Sequence, residues 1–516
     1  MNDTLIDTNP KCAILPVEFL VWTATALVAL PWFWPIIAGP LPAMLPDLSA
    51  WLSGALLVGL WPRVRYRFDE VVAWGLLFAA VGSAFLGLLQ YFDVENNIGV
   101  WVVLTKPGEV TANIQQTNLL ATLLAVGLLC ILYLLTKKRL SAFNASWTAF
   151  VLVVSLAATA SRTGMVHLIL ISVLVLYWWP GRKLYLFASL IGVGAIYLIA
   201  TQVLPWLFQL IWGYSLERNL FSRLGEDYAC VSRKVLWTNV AHLISLKPWT
   251  GWGPGELLFA HYITPYDGER FCMKLSNAHN LPLHFAFVWG IPAALCACLF
   301  AILSFLKLRP WNTKLYQEQF GWSILSLVGF HSLVEFPLWY GLFQILVALA
   351  IVMVVLGRRE SNEAAHSESQ LPAVHSLKFV AVSIALLLAL AFVAVDYFKV
   401  SQLYLPAKWR PAWYQVDTLN KARDTVLFKS DVLIAQVVLT PVTHENALIM
   451  LDASLEALHI APDSRIIRQV IAAAQAAGRD DLVKIHTGRY KASWPELYEE
   501  WVRLESARHD VPERTN

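Results

Sequence analysis

In the stretch FCMKLSNAHNLPLHFAFVWG, residues 271–290, a polar segment carrying Ser276, Asn277, His279 and Asn280 runs directly into an apolar run that starts at Leu281. This places an imidazole, which titrates near neutral pH and can take a proton from a hydroxyl, at the mouth of a membrane span. The plainer reading is an interfacial His–Asn pair that caps the helix. In GFHSLVEFPLWYGLF, His331 and Glu335 are four apart, the spacing of one helix face; Pro337 breaks that helix and Tyr340 opens the next. Ionisable groups at that depth must be paired or used, so the choice is between a functional pair and a buried structural one. In ANIQQTNLLATLL, Gln116 and Asn118 stand at the start of an apolar run, where N-capping by Asn118 or Thr117 is the ordinary role. In ATASRTGMVHL, Ser161 and Gly164 form a tight corner around Arg162. That guanidinium can snorkel to lipid headgroups or match phosphate oxygens with its planar fork. Arg218, Arg223 and Arg233 are further candidate anion ligands, with Glu217, Glu226 and Asp227 as alternative ion-pair partners.

The elements that must position these groups follow from composition. The chain has 516 residues, of which 57% are hydrophobic, only 15% are charged and 23 are Trp, which excludes a soluble globular protein. Apolar runs of spanning length recur through the first 400 residues. Eleven spans are expected: 17–37, 48–61, 71–92, 117–135, 147–160, 164–179, 184–211, 281–306, 320–336, 341–356 and 377–398. The fold class is therefore an all-α polytopic membrane protein. The N-terminal sequence MNDTLIDTNPKCAILP lacks a basic region followed by a cleavage site, so the first span is read as retained.

Basic clusters fall in alternate connections: Arg63, Arg65 and Arg67; Lys137, Lys138 and Arg139; Arg182 and Lys183; Lys307, Arg309 and Lys314; Arg358 and Arg359. The positive-inside rule makes these cytoplasmic. The loop 93–116, the Ser161–Arg162 corner, the long loop 212–280 and the turn 335–340 then face outward, and they hold every candidate residue above. Residues 1–398 form the expected transmembrane part. Residues 399–516 are charged and helically periodic, and read as a small outward-facing helical domain of repeat-like hairpins, after a polar cytoplasmic linker at 360–376.

Within the long loop, Ser232–Leu246 reads as an amphipathic helix with Val235, Leu236, Val240 and Leu243 on one side. Gly251, Gly253 and Gly255 imply backbone bends, because no GxGxxG spacing or phosphate-loop Lys accompanies them. Cys230 and Cys272 share this loop and either bridge or remain free thiols; Cys12, Cys130, Cys296 and Cys298 lie at the chain start or in spans. No cluster has metal-ligand spacing, and no metal, cofactor or nucleic-acid partner is expected. A pyrophosphate leaving group would then depend on Arg and Lys.

Five segments, ANIQQTNLLATLL, SRTG, SRKVLWTNVAHLISLKPWTGWGPGE, NAHNLPLHFAFVWGIP and HSLVEFPLWYGLF, together resemble the superfamily of O-antigen ligases, O-antigen polymerases and bacterial protein O-oligosaccharyltransferases. Within it the chain looks most like the PglL-type protein O-oligosaccharyltransferases. The resemblance implies a GT-C-like bundle of about 11–12 transmembrane helices in the bacterial inner membrane, with a large periplasmic loop and a C-terminal periplasmic helical domain. It implies transfer, without metal, of a glycan preassembled on undecaprenyl pyrophosphate to a hydroxyl on an acceptor protein such as pilin. His279 matches the family's loop histidine, Gln116 the glutamine of the QxNxLAT segment, and Tyr340 the tyrosine after the proline turn. Arg162 and Arg233 match arginines assigned to pyrophosphate. Thr117 departs from the pattern, since many relatives have Pro there.

The expected reaction is direct displacement with inversion. His279 acts as base, Arg162 and Arg233 stabilise the pyrophosphate with Arg223 and Arg218 in support, and Glu335, His331, Asn280, Gln116 and Tyr340 orient base or sugar. Apolar spans would hold the polyprenyl tail among the membrane lipids. A ligase that delivers O-antigen to lipid A core, or an O-antigen polymerase, would share all these residues. A lipid-linked glycan transporter would place its titratable groups at mid-span.

Overall fold

The computed structural model describes residues 16–37, 39–178, 183–216, 229–363 and 373–509. Arg218, Arg223, Glu217, Glu226, Asp227, Cys12 and Arg182 lie outside the described residues, as do the side chains of Lys183 and Arg359.

A chain in lipid must satisfy its backbone internally, and each of the eleven expected apolar runs contains a helix, although 17–37 leaves it after Phe33 and 320–336 after Ser332. These are α1 (Val17–Ala29), α2 (Met44–Val64), α3 (Phe68–Tyr91), α4 (Thr117–Thr136), α5 (Ala142–Ala158), α6 (Arg162–Trp178) and α7 (Lys183–Trp212). Between α7 and the next span come α8 (Arg233–Leu246) and α9 (Leu257–Ile263), followed by α10 (Leu281–Leu308), α11 (Tyr316–Ser332), α12 (Gly341–Glu363) and α13 (Ala373–Ser401). Among the described residues six helical stretches are long and apolar enough to cross a membrane; the first, Met44–Tyr91, is α2 and α3 joined through a 3-10 turn at Arg65–Arg67.

The central mast is α4, whose residues from Leu119 to Val126 are almost completely buried against α3, α5, α6 and α11. Small residues allow this close approach. Gly127 lies against Ala80 and Leu152, and Gly164 of α6 against Ala121 and Leu156. At one end of the bundle three of the basic clusters carry ion pairs. Glu70 binds both Arg67 and Arg139, Lys137 binds Asp69 at 3.0 Å, and Arg358 binds Glu318 at 2.8 Å.

One expected span is not continuous. At Gly290 the backbone of α10 leaves the helical region, with φ +85° and ψ 164°. The cause is the segment Pro248–Gly253, which docks into the break: Trp252 N donates to Phe287 O, Gly253 N to Val288 O and Ile291 N to Pro248 O. A β-carbon on Gly290 would strike the backbone of Trp249, and one on Gly251 the backbone of Val288. Both glycines have φ above +65°, a region that side chains disfavour. All four residues expected on the apolar side of α8 are buried.

Beyond Ser401 come α14 (Thr418–Ala422), α15 (Lys429–Leu439), α16 (Ala447–Ile460), α17 (Ser464–Ala476), α18 (Asp480–Ser493) and α19 (Pro495–His509). From α15 onward each packs on its neighbour around a core of Val437, Leu451, Ile466, Ile467, Val470 and Tyr490. Tyr262, from α9, is part of this core. Its hydroxyl is 3.0 Å from His486 Nδ1, its ring stacks on Trp494, and Phe259 stacks on His459.

Candidate active site

Four helix N-termini meet at the end of the bundle opposite the ion-paired one, and Glu335 joins them. Glu335 follows the end of α11, and its backbone N–H donates to His331 O at 2.8 Å. Its Oε2 is 2.6 Å from His279 Nδ1, just before α10. Its Oε1 accepts from Arg233, the first residue of α8, and from Asn118 Nδ2 in the first turn of α4 at 3.0 Å. Asn118 Oδ1 accepts from the Ser161 hydroxyl at 2.8 Å, and Ser161 Oγ caps α6 by accepting from Gly164 N at 3.1 Å. The positive ends of four helix dipoles thus converge around the Glu335 carboxylate.

Sharp backbone corners aim these groups. His279, Ala160 and Gln115, each two residues before a helix, have φ of +49°, +47° and +64°. Such values are costly for residues other than Gly and persist only where neighbours enforce them. For His279 the enforcement is visible. Its N–H donates to Asn277 Oδ1 at 3.0 Å, Trp237 Nε1 holds the Ala278 carbonyl at 3.0 Å, and the ring sits edge-on to Phe336. Asn280 caps α10 through Leu283 N and reaches across to Leu333 O. A disulfide between Cys230 and Cys272, with Cα atoms 5.4 Å apart, joins the entry of α8 to the segment leading to His279. The bend at Gln115, and not a proline at position 117, turns the chain into α4. The loop before it is pinned by the Gln90 side chain, which bonds Val103, Thr111 and Ala112.

Burial raises the Glu335 pKa, but the His279 hydrogen bond and the Arg233 charge outweigh it and bring the carboxyl down to about 2. A carboxylate can only accept, so His279 Nδ1 carries a proton, and Nε2 is the ring nitrogen not engaged with Glu335. Burial, and then the charges of Glu335 and Asp47, push Tyr340 up to about 12, so its hydroxyl stays a donor.

The expected residues divide accordingly. His279, Glu335 and Arg233 form one connected cluster, while Asn280, next to His279 in the chain, bonds Leu283 N and Leu333 O. Arg162 follows Ser161 on its rim, is exposed, and pairs with no carboxylate among the described residues. Arg233 has its terminal nitrogens turned to Glu335 and the Val334 carbonyl, so its fork clamps the carboxylate instead of standing free. Tyr340 stacks near Phe336 at 5.9 Å. Gln116 is the backbone cap of α4, with Oε1 buried and without a partner among the described residues. His331 makes no side-chain bond to Glu335: it is fully buried and turns to Thr122, so it presents no atom to a bound substrate. Sequence reasoning left Asn118 or Thr117 to cap α4, where Gln116 is the cap, gave Asn277 no role of its own and passed over Thr122. The polar Asn118–Thr122 spacing of four on an otherwise apolar helix was the signal.

Residues 147–298 match the family pattern described as O-antigen ligase, and residues 319–508 the one described as virulence factor membrane-bound polymerase, C-terminal. A general O-oligosaccharyltransferase of Acinetobacter baylyi is 24% identical over 438 residues, covering 81% of this chain and 74% of that protein. A ComP-specific O-oligosaccharyltransferase of the same organism is 25% identical over 274 residues, covering 53% of this chain and 49% of that protein. No solved structure matches the chain. The segments that meet at Glu335 from α6, α8, α10 and α11 all lie within the matched regions, and the similarity to both patterns and to the two O-oligosaccharyltransferases supports a glycosyltransferase of the O-antigen ligase and polymerase kind.

Proposed function

We propose that the protein transfers a preassembled glycan from undecaprenyl pyrophosphate to a Ser or Thr hydroxyl of an acceptor protein, at the periplasmic face of the bacterial inner membrane. The observation that carries this reading is His279 held through Nδ1 by Glu335, in a cluster that joins four helix N-termini and whose Ser161 is followed by the exposed Arg162. As the acceptor oxygen attacks C1 of the first sugar, His279 Nε2 takes the hydroxyl proton, and Glu335 stabilises the imidazolium that forms. The C1–oxygen bond to the pyrophosphate breaks with its electron pair. Arg162 and the helix N-termini stabilise the departing charge, and Tyr340 donates to the sugar. One displacement inverts the anomeric carbon. The disulfide between Cys230 and Cys272, which joins the entry of α8 to the segment before His279, favours the oxidising, periplasmic side.

The test incubates purified protein with undecaprenyl-pyrophosphate glycan and a pilin-like acceptor, with mass spectrometry of the acceptor. A glycan mass on Ser or Thr is expected. Transfer to lipid A core alone would instead select the O-antigen ligase reading.

A further inference from the structure

Below the Glu335 cluster the same three helices are joined a second time. One turn along α4 from Asn118, the Thr122 hydroxyl is 3.0 Å from His167 Nε2 on α6 and 2.8 Å from His331 Nδ1 on α11. It donates its proton to the Asn118 carbonyl at 3.0 Å. All three side chains are fully shielded from solvent. The upper tier is Asn118, Ser161 and Glu335; the lower is Thr122, His167 and His331.

A hydroxyl has one proton, and a carbonyl can only accept it. With that proton on Asn118 O, both imidazoles must donate to the Thr122 oxygen. His167 is then protonated at Nε2 and His331 at Nδ1. Their other nitrogens, His167 Nδ1 and His331 Nε2, are bare, buried and without partners among the described residues. A core selected for stability alone has no use for two orphaned acceptors, since apolar side chains of similar shape do as well or better. What the lower tier does provide is registry. The backbone of Glu335 hangs from the His331 carbonyl, so fixing His331 against Thr122 fixes where the carboxylate meets His279.

We propose that Thr122, with His167 and His331, positions α11 against α4 and α6 so that Glu335 holds His279 in its reactive orientation. Thr122 is a positioning residue: it lies beneath the cluster and reaches His279 only through Glu335. The inference rests on the transfer reaction proposed above.

The test compares Thr122→Val, which keeps the shape and removes the hydroxyl, with Thr122→Ser, which keeps the hydroxyl. Thr122→Val is expected to lower kcat at least tenfold, with KM for the lipid-linked glycan within twofold and the melting temperature unchanged or raised. Thr122→Ser should stay within threefold of wild type. A Val variant as fast as wild type, or a Ser variant as slow as Val, would overturn the proposal. A second readout needs no activity: solid-state 15N spectra of histidine-labelled protein, assigned with His167→Gln and His331→Gln. The wild type should show the Nε2–H form of His167 and the Nδ1–H form of His331, and Thr122→Val should shift both. Unchanged resonances in the Val variant would overturn the truss even in an active enzyme. Inactive wild type with the expected resonances would count against the transfer reading alone.

Discussion

Glu335 Oε2 and His279 Nδ1 stand 2.6 Å apart, and the other oxygen of the same carboxylate is shared by Arg233 and Asn118. The carboxylate therefore fixes the His279 ring and ties it to α4 and α8 at once. Glu335→Gln keeps the shape and loses the charge that stabilises an imidazolium. Turnover in the purified transfer assay should fall by about 10²–10⁴, the range of a lost general base. KM for the glycan donor should change little, and His279→Ala should be at least as severe.

The same carboxylate links stability to pH. Its folded value, about 2, lies below the ordinary 4.5, so its contribution is complete above pH 4.5 and is lost as pH falls toward 2. Melting curves should show this loss in wild type, and Glu335→Gln should flatten that segment of the profile.

Among the C-terminal helices the sign reverses its cause but not its direction. Burial, then the Arg489 charge, lowers His486 from 6.5 to about 4. The unfolded chain binds the proton first, so stability is complete above pH 6.5 and is lost as pH falls toward 4. His486→Gln should weaken that dependence of the melting temperature while leaving the Glu335-dependent loss at lower pH.

Arg162 is the exposed guanidinium at the N-terminus of α6. If its planar fork grips the pyrophosphate, Arg162→Lys should lower kcat/KM about tenfold or more, because a point charge cannot make the bidentate contact. Wild-type kinetics in the Lys variant would show that the side chain only snorkels.

Cys230 and Cys272 enclose a separation of 42 residues. Removing a crosslink over a loop of that size costs about 4 kcal/mol in the chain-entropy treatment. The two single Ser variants and the double variant should lose the same stability by thermal denaturation. Reductant should destabilise wild type to their level and leave them unchanged.

The helices were legible because lipid leaves an apolar run few alternatives. That the segments meeting at Glu335 share one end of the helix bundle was legible from where Lys and Arg fall. The partners of individual groups were not. His331 and Glu335 have the spacing of one helix face, yet α11 ends at Ser332, and the chain turns before Glu335 can share that face. Arg233 reads as a free anion ligand until Glu335, a hundred residues later, is seen beside it. Gly290 looks like an unremarkable residue in an apolar run, because the segment that breaks the helix there is brought in from the preceding loop.

That interlock has a consequence for how the family can diverge. Gly251 and Gly290 each leave room for the other's neighbouring backbone, so neither position accepts a side chain unless the opposite segment moves away. Substitution at one should arise only together with remodelling of the other. Exchanging the outer loop between relatives should then succeed only when the first half of α10 travels with it.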